Sequence, residues 1–228
     1  MPTPVQFKAP FEFDHYYHLL FRSIDGILLF KNQKHHMFFL EKFYRFTNLI
    51  FQCWAYSLLD NHAHFIIKVK PEELVKKNIL QLTVEERTKS MLRFIENQEG
   101  AVSLFDEVAE RQVNRFMVSY SNTYNNLIER KGGVFQQPFR RSLIAEEAHL
   151  QQAIVYVHAN AQKHQLVSDF KEHVYNSYRE ILSGESLYVD SKAVIDFFDG
   201  EEKFISIHKE QVAYFYANQW PASRLEID

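Results

Sequence analysis

Asp60-Asn61-His62-Ala63-His64-Phe65-Ile66-Ile67-Lys68-Val69 sets two histidines one residue apart at the mouth of an apolar run. Side chains alternate across a strand, so an extended backbone projects His62 and His64 from one face, at a spacing that lets both imidazoles chelate one metal ion. The preceding Phe51-Gln52-Cys53-Trp54-Ala55-Tyr56-Ser57-Leu58-Leu59 is aromatic and apolar, as a strand requires, and Asp60-Asn61 supplies the turn. A hairpin over 51–69 then holds the pair on a stiff sheet. Taken alone the pair has a second reading, as the polar face of an exposed strand.

On either side of the hairpin, residues 14–24 read as a strand and 34–50 as a helix, and Pro71 marks a break. The more charged segment 72–110 has mostly helical spacing, punctuated by Asn97-Gln98-Glu99-Gly100. A helix over 110–130 ends at Lys131-Gly132-Gly133, and another spans 146–160. Beyond Gly184 the character changes. Asp190-Ser191 caps a helix containing Val194, Ile195, Phe197 and Phe198, Gly200 stops it, and Glu201 to Tyr216 forms one more. The order is strand, helix, strand hairpin, helices, then a final sheet or helix contribution. It predicts an α+β domain, an antiparallel sheet with packed helices, over 1–185 and a helical tail over 186–228.

In the helix over 146–160, Tyr156 and Asn160 are four residues apart and share a face, so a phenol and an amide oxygen can approach the same ion. His158, two positions on from Tyr156, points away and reads as structural, hydrogen-bonded to backbone. Tyr120 and Tyr124 are competing nucleophiles on their own helix, and core packing suits both. His18, on the first strand beside Tyr16 and Tyr17, has two readings, a residue that approaches the site and, the one favoured, a plain sheet histidine; His35-His36 reads as a solvated helix start.

Several segments fall in a recognisable order: Tyr17-His18 before an apolar strand, Asn61-His62-Ala63-His64-Phe65, Tyr124-Asn125, Gly133-Val134-Phe135-Gln136-Gln137-Pro138-Phe139-Arg140-Arg141, Tyr156-Val157-His158-Ala159-Asn160 and Tyr175-Asn176-Ser177-Tyr178. From about Phe13 to about Gly184 the chain thereby resembles the single-tyrosine transposases of the HUH (histidine-hydrophobic-histidine) endonuclease superfamily, above all the REP-associated tyrosine transposase branch. The resemblance implies a ferredoxin/RRM-like fold with a helical insertion over 72–110. It implies that Tyr156 attacks single-stranded DNA at or near a hairpin, leaving a 5′-phosphotyrosine bond and a free 3′-hydroxyl. His62 and His64 would ligate Mg²⁺ or Mn²⁺, with Asn160 where relatives carry a glutamine or asparagine that helps hold the ion. Relatives include monomers and dimers with composite sites, so a homodimer is among the implied arrangements. One position departs: relatives usually follow the asparagine with proline, whereas here Ala161 follows, and loss of the proline lets the helix run on past Asn160.

The physical chemistry of such a site can be built from the residues. In-line attack on a phosphodiester needs an oriented nucleophile and positive charge on the phosphate oxygens. A phenol titrates near pH ~10, so placement counts for more than intrinsic reactivity. Two imidazoles and an amide oxygen suit Mn²⁺ or Mg²⁺, and the same set binds Zn²⁺ or Ni²⁺ adventitiously. Two other functions use the same residues: a non-catalytic nucleic-acid-binding module, and a metal hydrolase in which His62 and His64 hold an ion that activates water.

The chain of 228 residues, 46% hydrophobic and 15% aromatic, carries enough apolar surface for a substantial core. A single cysteine, Cys53, excludes an internal disulfide framework and favours a reducing compartment. With neither a signal pattern nor a membrane-length apolar run, a soluble cytoplasmic protein is expected. The net charge of −3 and pI near 6.4 give no overall attraction to phosphate, so a DNA surface has to be local. Arg130-Lys131 through Arg140-Arg141, with Phe135 and Phe139 interleaved, is the candidate, and Arg115, one turn from Arg111, extends it. Guanidinium groups pair with phosphates, and aromatics stack on unpaired bases for about 1–3 kcal/mol each. The other reading is a solvated basic loop with core phenylalanines.

Overall fold

A computed structural model of the chain describes residues 8–97 and 101–217. Four strands form one antiparallel sheet: β1 (Tyr16–Arg22), β2 (Phe51–Leu59), β3 (His62–Val69) and β4 (Arg140–Ile144), in the order β2-β3-β1-β4. Between β1 and β2 runs α1 (Gln33–Thr47), with Asn32 as N-cap accepting from the His35 N–H. Between β3 and β4 come α2 (Glu72–Leu80), α3 (Lys89–Glu96) and the long α4 (Ala101–Leu127). A βαββαβ order with this strand arrangement is the ferredoxin-like α+β fold. After the sheet come α5 (Glu147–Lys163), a 3₁₀ turn at Phe170–Glu172, α6 (Tyr178–Ser183), α7 (Ser191–Phe197) and α8 (Glu201–Ala217).

The period-2 alternation of β1 and β3 splits the sheet into an aromatic face and a polar one. Phe21 and Phe65 project to the side where α1 and α4 supply Phe39, Phe43 and Phe116, with ring centroids 4.0–6.4 Å apart. His18 and His64 project to the other side, where α5 brings Tyr156. The hairpin therefore buries both faces. That overturns the reading of an exposed strand: His62 is 4% and His64 0% exposed.

The outer edge of β2 is covered by Tyr175–Ser177, which pairs with Tyr56 and Leu58 through backbone bonds of 2.9–3.0 Å. Covering an edge strand removes a template for unwanted strand addition. The core is continuous from Phe11 to Phe215 and takes in Val194 of α7, Phe198 just beyond its end, and Phe204 and Val212 of α8. Residues 218–228 of the expected tail, and Gln98–Gly100 of the expected punctuation, lie outside the described residues. Among the described residues no helix is long and apolar enough to cross a membrane.

Three expectations change. The helix expected over 110–130 begins nine residues earlier, at Ala101, because Phe105, Val108, Ala109, Gln112 and Val113 continue a buried stripe. Arg140–Ile144, unassigned in the sequence reading, is the edge strand β4. His36 is not solvated: it is buried, donates from Nδ1 to the Asn32 carbonyl at 3.0 Å and stacks on Tyr175 at 3.4 Å.

Candidate functional site

The polar face of the sheet is built by register. Leu20 of β1 pairs with His64 of β3 on one side and Arg140 of β4 on the other, and Arg22 pairs with His62. Ser57 of β2 lies opposite His64 and Ser142 of β4 opposite His18. His18, diagonal to His64, has its Nε2 2.8 Å from His64 Nδ1. His62 donates from Nδ1 to the Asn61 side-chain oxygen at 2.6 Å, which places the Nε2 lone pair on the side away from Asn61. His18 thus belongs to the cluster and is more than a plain sheet histidine.

Helix α5 lies on this face. Tyr156 is 1% exposed, with its ring centroid 6.0 Å from His64 and 6.3 Å from His18. Eight residues on, His164 has its ring 5.3 Å from His62. Tyr156, Asn160 and His164 follow one another at four-residue intervals on a single helix face. Tyr156 lies beside His64 and His164 beside His62, and Asn160 is the residue between these two on the same face of the helix. The helix does run past Asn160, ending at Lys163, as the missing proline allows. Lys163 therefore stands two turns from Tyr156 and donates from Nζ to its phenol oxygen at 2.9 Å. His164 and Lys163 escape sequence reading because only the packed helix brings them to the strand; the Ala161 departure was their one trace.

Asn160 is 0% exposed, and neither its Oδ1 nor its Nδ2 has a hydrogen-bond partner among the described residues. A buried amide left so costs about 1–3 kcal/mol for each unsatisfied group, which makes Asn160 a candidate ligand. Among the described residues no group of three or more His, Cys, Asp or Glu side chains could hold a metal ion. The donors available are the imidazoles of His62 and His64 and the Asn160 amide oxygen. That set fits a divalent ion, Mn²⁺ more readily than Mg²⁺, because imidazole is a softer ligand than Mg²⁺ prefers.

The other candidates separate by position. Tyr120 and Tyr124 project from α4, on the far side of the sheet, and donate to the Leu29 and Leu28 carbonyls at 2.8 and 2.7 Å. Burial raises both phenols from their ordinary range. His158 points away from Tyr156 as expected, but its partners are side chains. It donates from Nδ1 to His208 Nε2 and accepts at Nε2 from Ser177 Oγ, each at 2.8 Å, while His208 donates from Nδ1 to the Phe204 carbonyl at 2.7 Å.

The expected basic surface does not hold together. Arg141 alternates to the aromatic face, is 6% exposed, donates to the Ala9 carbonyl and pairs with Asp106 and Glu110. Arg115 is exposed on α4 over the Phe46 ring, also across the sheet from Tyr156. Phe135 and Phe139 are core residues packed on Phe21, so no base stacks on them. Arg130 is spent on its own loop, donating to the Gly133 carbonyl at 2.7 Å, and Lys131 is exposed beside it. Arg140 alone of the group shares the histidine face. Arg22, overlooked in the sequence, shares it too, next to His62.

No protein-family model and no curated protein matches the chain. A solved structure of a REP-associated tyrosine transposase bound to a REP hairpin is similar at 12% identity, covering 77% of this chain and 83% of that one, with a TM-score of 0.47. A likeness of that depth leaves the site to be argued from this chain's own residues.

Proposed function

We propose that the protein is a divalent-metal-dependent nicking and joining enzyme for single-stranded DNA, acting at or near a hairpin through a covalent bond to Tyr156. The observation that carries this reading is Tyr156 packed beside His64, with Lys163 on its phenol oxygen and, on the same face of α5, a buried Asn160 whose amide has no partner among the described residues. His62, His64 and Asn160 would hold Mn²⁺ or Mg²⁺, which supplies positive charge to phosphate oxygens. The phenol oxygen of Tyr156 is the nucleophile, held rigid by the packing of α5. Attack joins it to the 5′-phosphate and releases a 3′-hydroxyl; the reverse attack rejoins the strand. Arg140 and Arg22, on the same face, bind flanking phosphates. Tyrosine and histidines meet within one chain, so each copy carries a complete set.

The test is a denaturing gel of a labelled single-stranded hairpin pool incubated with Mn²⁺ and either wild type or Tyr156→Phe. A covalent protein–DNA band present in wild type and absent in Tyr156→Phe is the expected result. Cleavage without any band, persisting in Tyr156→Phe, would mean a hydrolase using activated water. Hairpin binding with neither band nor cleavage would mean a binding module, the reading favoured by the 1% exposure of Tyr156.

A further inference from the structure

We infer that Lys163 is a catalytic cation of this site, the group that holds the Tyr156 oxygen in place and then bears on the phosphate it attacks; the inference rests on the reading of Tyr156 as nucleophile. Lys163 Nζ is 2.9 Å from Tyr156 Oη and 4.9 Å from the ring centroid, so the ammonium sits at the oxygen end of the nucleophile's ring. A phosphorus poised for attack lies roughly 3–3.5 Å from the nucleophilic oxygen. Its non-bridging oxygens then fall within reach of an ammonium already resting on Oη. Placement of this lysine depends on helix continuing through Ala161. A proline there would lack the N–H bonded one turn back and disturb the turn that carries Lys163.

In the step itself the Oη–P bond forms as the P–O3′ bond breaks. The phenol's proton leaves to solvent, the departing 3′ oxygen takes one up, and no further reactant is consumed. Charge accumulates on the non-bridging oxygens as this happens, so a fixed cation there acts more strongly in the transition state than before it.

Thymidine 5′-(p-nitrophenyl phosphate) tests this without a hairpin, because nitrophenolate leaves in place of the 3′ oxygen and the thymidine phosphate stays on Tyr156. Wild type, Tyr156→Phe, Lys163→Met and Lys163→Arg are compared with Mn²⁺ for the nitrophenolate burst, the adduct mass and the melting temperature. We expect a stoichiometric burst that Tyr156→Phe abolishes and Lys163→Met slows about 100-fold at saturating ester. Lys163→Arg restores part of the rate, while half-saturation and melting temperature barely move. A Lys163→Met burst within a few-fold of wild type, with Tyr156→Phe inactive, overturns the role of Lys163 and leaves Tyr156 as nucleophile. Slowing accompanied by a lowered melting temperature in both lysine variants makes Lys163 structural and also overturns the inference. No burst in wild type overturns the reading of Tyr156 and takes Lys163 with it.

Discussion

Helix α5 separates two histidine clusters that are equally buried and differently finished. On one side His158 and His208, both 0% exposed, form a relay in which all four ring nitrogens are accounted for: Phe204 carbonyl, His208, His158, Ser177 Oγ, and then the Tyr56 N–H, which donates to that hydroxyl at 2.9 Å. On the other side His18 and His64 flank Tyr156, His62 lies beside His64 and His164, and the Asn160 amide has no partner among the described residues. Burial of histidine does not mark a site. A closed hydrogen-bond chain marks structure, whereas a buried amide without a partner is a candidate position for a ligand.

The comparison breaks most visibly at His158. His158→Ala strands His208 Nε2 in the core, takes one partner from Ser177 Oγ and leaves a cavity, and we expect a loss of about 3 kcal/mol in urea unfolding. A loss no larger than that of a surface substitution would mean the relay holds nothing together.

Acid should attack the same side. Burial lowers His208 to about 4 and pushes His158 well below its ordinary value, the neighbouring His208 adding to that. Below pH 6.5 the unfolded chain takes up protons that the folded chain refuses. Stability is therefore complete above pH 6.5 and falls as pH drops toward 4, by about 1.4 kcal/mol per pH unit for each such histidine. Unfolding measured across that window should flatten by one histidine's share in His208→Gln, and an unchanged slope would place the proton uptake elsewhere.

Asn160 should respond in the opposite sense. Asn160→Leu replaces an unsatisfied amide by an apolar group, so metal-free stability rises by about 1 kcal/mol while Mn²⁺ binding followed by calorimetry weakens. A variant destabilised like His158→Ala would show that the amide is satisfied after all. Smallest of all is Arg115→Ala. Set across the sheet from Tyr156, it should leave stability within about 0.5 kcal/mol and hairpin affinity essentially unchanged in an anisotropy titration.

Much of this was legible in the residues. The His-Ala-His spacing fixed a shared face, and the four-residue step from Tyr156 to Asn160 did the same on the helix, because both follow from backbone periodicity alone. β4 was not legible: Arg-Arg-Ser-Leu-Ile is short, opens on two charges and leaves Leu143 37% exposed, so alternation is faint. The basic patch misled for a related reason. Adjacent Arg140 and Arg141 look alike in sequence, yet on a strand they part to opposite faces, one toward the histidines and the other into an ion pair with Asp106. His18 was weighed as a site residue and set aside, and only its contacts with His64 and Tyr156 decide the matter; His164 needed its contact with His62, far off in the chain, and Lys163 needed the helix to run two turns past Tyr156.

The relay has one more consequence. It bolts α5 to α8 and to β2 on the side away from Tyr156. A helix fastened along one flank cannot roll about its own axis, and the angular setting of α5 decides where the phenol oxygen falls over the strand. A displacement of that oxygen by about 1 Å is enough to cost a reaction some two orders of magnitude. On the proposed reading, α8 thus works as a torsion brace: its bond to His158 helps set where the Tyr156 phenol falls.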